Sequence, residues 1–335
     1  MTFLRIPLKD ILWPCIIVAE VIMYGMFPVL IDLSTVGDEI SFLSSSFNFC
    51  TEALKFMVCV VILRFQSPSK PAPRLSLGLV LPFSVPALLY CVNNNVSVLV
   101  QTEMDPATFM VLSNLKILFT AALYRLFFRK KLGHRKLFAI CLLTCGGIFN
   151  SMAALSSKSS HSLSEIHVTW IGLITLCCYC FISGFSGVFT EFIFKKDHHL
   201  SVYLQNAILY SFGMVFSFVG WLLQARNRMM DTGNCDAFNL FYGYTVFTWA
   251  LVLTQVPTGL IISMIMKFSN NMVRLFVIAS APLVTTVLSS ILFGLKIQAE
   301  FVVSAVLIII SAILYNMNAQ TGSKTLHAAK KFENC

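Results

Sequence analysis

The sequence predicts an all-α membrane protein of about ten transmembrane helices. Three observations carry that reading. Of 335 residues, 57% are hydrophobic and only 12% charged, with a mean hydropathy of +0.80, outside the range of a soluble domain. The apolar residues come in repeated runs of about 18 to 25, each long enough to cross a hydrocarbon core of about 30 Å as a helix. The runs are continuous, without the apolar and polar alternation of an outer-membrane barrel, so the spans satisfy their backbone groups as helices.

The first five spans fall at Ile11 to Ile31, Phe42 to Phe65, Leu77 to Val100, Ala107 to Phe128 and Lys136 to Leu155. The second five fall at Val168 to Phe194, Val202 to Gln224, Phe241 to Met266, Met272 to Gly294 and Phe301 to Met317. Nothing near the N-terminus reads as a signal-peptide cleavage site, so the first span is expected to remain in the mature protein. One transmembrane domain over 1–335 follows, with five-helix repeats over 1–160 and 161–320 and a tail over 321–335. Thr120, Leu126, Phe127 and Asn150 are echoed at one spacing by Thr286, Leu292, Phe293 and Asn316. An odd number of helices per repeat inverts one half relative to the other, the design that exposes a midplane site alternately to each side.

Lysine and arginine set the orientation. With the N-terminus cytosolic, that side receives Arg64, Arg125, Arg129, Lys130, Lys131, Arg135, Lys195, Lys196, Lys330 and Lys331 among others, and the opposite side only Lys158, Arg226, Arg228 and Lys296. Both termini are therefore expected in the cytosol. The net charge of +9 is spread over these short loops rather than along one basic face, which argues against nucleic acid as a partner. Nine of the 11 cysteines lie in apolar spans, and Cys177, Cys178 and Cys180 have no histidine beside them, so neither a disulfide framework nor a metal site is expected. His134, His161, His167, His198 and His199 form no ligand pattern, and the loops carry no acid, base or metal set that an enzyme would need.

The informative residues are therefore the polar ones inside the spans, where a charge costs roughly 2.5 to 3.5 kcal/mol unless it is paired or wet. Glu20 in the first span suits a gate or a partner for a membrane cation. In the second, Thr51, Glu52 and Lys55 put two opposite charges on one face; the pair either orients helices or borders a cavity. Tyr90 precedes Asn93, Asn94 and Asn95 in the third span, and amides there can join helices or read a nucleobase edge. Lys116 in the fourth span and Arg274 in the ninth are cations on separate helices that could hold a phosphate or diphosphate, Lys116 alternatively snorkelling to the interface, while Lys267 suits an anchor at the membrane boundary or a structural and gating role. Gly184 and Gly187 in the sixth span permit close helix packing, and Glu191 follows them. Asn206 and Tyr210 in the seventh can bond and stack on a base.

Several blocks carry a family resemblance: Thr51-Glu52-x-x-Lys55; Ser84-Val85-Pro86-Ala87-Leu88-Leu89-Tyr90 before the asparagines; Leu115-Lys116; Ser183-Gly184-Phe185 through Glu191; Phe241-Tyr242-Gly243-Tyr244-Thr245; and Asn271-Met272-Val273-Arg274. In this order they resemble the nucleotide-sugar transporters of solute carrier family 35, subfamily A, over nearly the whole chain. Met104-Asp105-Pro106-Ala107-Thr108, Ser113-Asn114-Leu115-Lys116 and Leu204-Gln205-Asn206 are most similar to the subfamily's fourth branch, of probable UDP-sugar transporters. The resemblance implies the drug/metabolite-transporter fold, no cofactor, and residence in the Golgi membrane, with the endoplasmic reticulum as the alternative. It further implies exchange of a cytosolic nucleotide sugar for a lumenal nucleoside monophosphate, with membrane lipid around it. Homo-oligomers, or association with other nucleotide-sugar transporters or with glycosyltransferases, belong to the same expectation. By position it implies that Lys116 and Arg274 lie near the phosphates and that Asn94, Asn95, Asn206 and Tyr210 line the nucleotide cavity. Ser113-Asn114 stands where the sialic acid and galactose carriers have Tyr-Gln, Arg274 where they have lysine, Thr258-Gly259 for Gly-Gly and Asn93 for glutamine. These differences leave open a carrier for CMP- or CDP-linked substrates and a regulatory member that does not transport.

Overall fold

A computed structural model describes residues 8–34, 42–66, 76–104, 106–129, 132–158, 169–232, 238–294 and 297–315. The described residues are helical in this order: α1 (Leu8–Ser34), α2 (Ser44–Gln66), α3 (Leu77–Val80), α4 (Ser84–Glu103), α5 (Pro106–Leu112), α6 (Lys116–Phe128), α7 (His134–Lys158), α8 (Trp170–Lys196), α9 (Val202–Thr232), α10 (Val246–Phe268) and α11 (Asn271–Phe293), followed by α12 (Ala299–Tyr315). Single 3-10 turns, Leu81–Phe83 and Ser113–Leu115, join α3 to α4 and α5 to α6. Each pair thus continues as one span, so nine long apolar helices and the shorter α12 supply the ten expected. The chain is a multi-pass membrane protein. Large apolar side chains face outward, Leu77 and Trp170 each 83% exposed, as lipid-facing surfaces require.

Local chemistry explains where the helices differ from the apolar runs. The eighth span begins at Val246 rather than Phe241, because Thr245 caps α10: its hydroxyl accepts from the Thr248 amide at 3.2 Å while the Thr248 hydroxyl accepts from the Thr245 amide at 3.1 Å. Gly243, at φ 73°, turns the chain into that cap, a conformation that only glycine adopts without cost. Apolar character continues across Phe241 and Tyr242, so hydropathy alone extends the helix there. α9 runs to Thr232, past the expected end at Gln224.

The described residues form two compact units: residues 1–98 with 185–293, and 99–184 with 294–335, the boundaries falling inside α4 and α8. In the first, α2 packs most extensively on α9, and α1 lies against α10 and α11. The α2–α9 seam is closed by Phe49 on Phe218, with ring centroids 5.5 Å apart, and by the Ser45 amide donating to Gln224 Oε1 at 3.2 Å. In the second, Ser304 Oγ donates to the Gly146 carbonyl at 2.8 Å and Ser311 Oγ to the Ala139 carbonyl, pinning α12 to α7. Asn114 Nδ2 donates to Ser151 Oγ at 3.0 Å and ties the Ser113–Leu115 turn to α7.

The α1–α11 contact depends on Gly25. A Cβ there would lie 2.6 Å from the Ala281 carbonyl oxygen and 2.7 Å from Val284 Cβ, and Thr285 Oγ1 donates to the Gly25 carbonyl at 2.7 Å. Neither backbone can yield without separating the helices. Gly25→Ala is expected to destabilise the protein by about 1–3 kcal/mol, read as a lower temperature at which purified protein leaves the monodisperse peak after heating.

Candidate functional site

Buried polar side chains converge within the first unit. Glu20 on α1 is fully buried, and neither carboxylate oxygen has a hydrogen-bond partner among the described residues. One turn on, Tyr24 lies within electrostatic reach of the Glu20 carboxylate, the Arg274 guanidinium and the Tyr90 hydroxyl. Tyr90 in turn lies within reach of Tyr210 on α9, as does Glu52 on α2. Lys55 links the two ends of that cluster, its Nζ 3.1 Å from Glu52 Oε1 and 5.4 Å from the Tyr210 ring centroid. The pair expected from the three-residue spacing therefore forms.

Glycines leave room for these charges. A Cβ at Gly213 would meet Glu52 Oε2 at 2.7 Å, and one at Gly259 would meet Lys55 Cε and the Tyr210 oxygen, each at 2.9 Å. Gly187 does the same for the cation on α11: its Cβ position is 2.8 Å from Arg274 Nη1. Arg274 Nη1 donates to Asn271 Oδ1 at 3.3 Å, leaving Arg274 Nε and Asn271 Nδ2 buried and without hydrogen-bond partners among the described residues. Asn206 has both side-chain polar atoms buried and unpartnered, as is the Thr51 hydroxyl. The Tyr210 hydroxyl, with Ser263 alongside, makes no hydrogen bond of ordinary geometry. Buried polar groups are rarely left so, and leaving each unmade costs about 1–3 kcal/mol. Among the described residues, these groups concentrate on α1, α2, α9 and α11.

A second network closes one end of the same unit. Glu191, fully buried at the end of α8, accepts from Lys195 Nζ at 2.6 Å and from the Asn271 backbone amide at 2.7 Å. The carboxylate thus caps the first turn of α11, where the helix dipole favours negative charge. Lys195 also donates to the Ser269 carbonyl. Lys267 is only 8% exposed, donating to Gln205 Oε1 at 2.8 Å and to the Leu200 carbonyl. Gln205, itself holding the Phe194 and Asp197 carbonyls at 3.2 and 3.1 Å, draws the ammonium of this expected boundary anchor inward.

The second unit places Lys116, half-buried, at the first position of α6, where its carbonyl accepts from Thr120 Oγ1 at 2.6 Å. Gly184 packs there, its Cβ position 3.1 Å from the Thr120 backbone, so this glycine serves close packing. Of the three successive asparagines, Asn94 and Asn95 are exposed and Asn95 bonds back to the Cys91 carbonyl at 2.8 Å, whereas Asn93 keeps a buried, unpartnered Oδ1. Glu20, expected as a gate or a partner for a membrane cation, makes no hydrogen bond to a cation among the described residues. Sequence reasoning passed over Tyr24 and did not carry Asn271 or Gln205 into the site. The three-residue spacing of Asn271 to Arg274 was a signal for the second, and Gln205 was signalled as an amide inside an apolar span beside Asn206; nothing local signalled Tyr24.

Comparison with known proteins follows the same lines. A family profile described as nucleotide-sugar transporter matches residues 11–316. The probable UDP-sugar transporter protein SLC35A4 of Xenopus tropicalis is 38% identical, over 92% of this chain and 93% of its own. The human protein of that name is 33% identical, over 90% and 93%. A crystal structure of another protein superposes with a TM-score of 0.63 over 90% of this chain and 97% of its own, at 10% identity, a likeness of fold alone.

Proposed function

Since the chain belongs to the nucleotide-sugar transporter family, we propose that it carries a pyrimidine nucleotide sugar, UDP-linked, from cytosol to Golgi lumen in exchange for a nucleoside monophosphate. The observation that carries this reading is the set of buried, unpartnered polar atoms on Glu20, Thr51, Asn206, Tyr210, Asn271 and Arg274. A nucleotide offers what they lack: acceptor oxygens for the guanidinium, an amide edge for Asn206 and a ring for the tyrosines. Arg274 is assigned to the phosphates and Asn206, Tyr210 and Tyr90 to the base and ribose. Asn94 and Asn95 complete the proposed substrate set of the first unit, and Lys116 is a separate proposed phosphate contact in the second unit. Glu20, Glu52, Lys55 and Glu191 would set which conformation is stable, with Gly184, Gly187 and Lys267 supporting them.

Two inverted repeats suit this cycle. The pairing of α2 with α9 and of α7 with α12 supports them, since these are the second and fifth spans of each half. Both termini are assigned to the cytosol on the charge bias alone.

Proteoliposomes preloaded with UMP are expected to take up labelled UDP-sugars faster than empty ones, and faster than vesicles preloaded with CMP or GMP. Asn206→Ala should raise the half-saturating concentration about tenfold, the cost of roughly one hydrogen bond in a dry site. If no nucleotide sugar is trans-stimulated by any monophosphate, the exchange reading is lost.

A further inference from the structure

A groove of about 760 Å³ lies on the surface of the second unit. Leu118, Ala121, Ala122, Arg125 and Leu126 of α6 form one wall, Arg129 and Leu132 of the link its end, and Leu137 of α7 the other wall. The α6 residues recur at three- and four-residue steps, a single face, and Leu126 is 75% exposed. Both arginines are exposed, and the ion pairs among the described residues lie elsewhere, at Glu52–Lys55 and Glu191–Lys195. Between 125 and 136 the chain holds Arg125, Arg129, Lys130, Lys131, Arg135 and Lys136 with no acid. Arg129 ends α6 at φ 51°, the sole positive φ on a non-glycine among the described residues.

We propose that this groove binds one acidic phospholipid, its phosphate held by Arg125 and Arg129 and an acyl chain laid along Leu118, Ala122 and Leu126. The dimensions favour a lipid over a soluble phosphate. From Leu118 to Arg129 is about 16 Å of helix, close to the depth of one leaflet, half of a core of about 30 Å. The arginines thus stand at headgroup level while the apolar wall runs inward. Basic pockets between transmembrane helices take anionic headgroups for this reason, and a guanidinium matches a phosphate with two parallel bonds.

The test uses the full chain purified in detergent, with phosphatidic acid, phosphatidylcholine and glycerol 3-phosphate as probes, read by native mass spectrometry and by thermal stability. One phosphatidic acid is expected to stay bound and raise the apparent melting temperature, since it binds the folded state; the other two should do neither. Arg125→Ala/Arg129→Ala should weaken retention about thirtyfold, at the usual worth of two basic residues near an acidic lipid. Ala122→Trp, which fills the groove and keeps both arginines, should abolish it, so the proposal does not hang on one variant. Arg135→Ala, outside the groove, should retain the lipid. Equal binding of phosphatidylcholine, an equal effect of glycerol 3-phosphate, full retention in the double variant or in Ala122→Trp, or equal loss in Arg135→Ala would each overturn it.

Discussion

Arg274→Ala is expected to raise the half-saturating concentration for nucleotide-sugar uptake about tenfold to a hundredfold, the largest effect of any single substitution in the proposed site. The guanidinium is held by Asn271 at 3.3 Å and accommodated by Gly187, yet its Nε has no partner, so donors stay available for an anion. A hydrogen bond to a charged group contributes about 1.5–3 kcal/mol, which sets the range. Arg274→Lys keeps the charge but loses the planar fork and should fall between. The discriminating readout is the concentration dependence rather than the maximal rate: an unchanged half-saturation with Arg274→Ala would remove Arg274 from the substrate site. Gly187→Ala should follow Arg274→Ala in direction, because the added methyl occupies the guanidinium's place.

The largest loss of stability is expected from Glu191→Ala, at about 3 kcal/mol. Its carboxylate joins α8 to the start of α11 through the Asn271 amide and pairs with Lys195 on α8 itself, with a side chain only 1% exposed. Removing it orphans the Asn271 amide and strips the α11 N-terminus of its negative charge. Breaking one partner of a buried pair costs about 3–5 kcal/mol; the lower end applies because Lys195, 32% exposed, can turn to water. Lys195→Ala should therefore cost only about 1 kcal/mol, since the Asn271 contact survives. Survival of the monodisperse peak after graded heating ranks the two. Equal damage from both substitutions would mean that the ion pair, not the helix cap, holds this end together.

Much of this molecule is legible without coordinates wherever the signal is local. Span lengths follow from hydrocarbon thickness, and the Glu52–Lys55 pair follows from helical spacing, because three residues always bring side chains to one face. The start of α10 was less legible, since the Thr245 cap is a short polar signal inside an aromatic stretch of Phe241, Tyr244 and Trp249. Asparagines 93 to 95 show a further limit. Their presence in a span was plain, but which of them is buried depends on the rotation of α4 against its neighbours.

By itself the sequence determined that the chain crosses a membrane about ten times, which family it resembles, and that polar groups within its spans are its chemistry. Tertiary structure alone decided how those groups are partnered. Lys267 meets Gln205 across 62 residues and Glu191 meets Asn271 across 80, while the side-chain polar atoms of Glu20 and Asn206 meet no hydrogen-bond partner among the described residues. Hydropathy and helical period are properties of neighbouring residues, set by solvent and backbone. Whether a buried amide or carboxylate is satisfied depends on which distant helix packs beside it, and that choice is made only when the helices assemble.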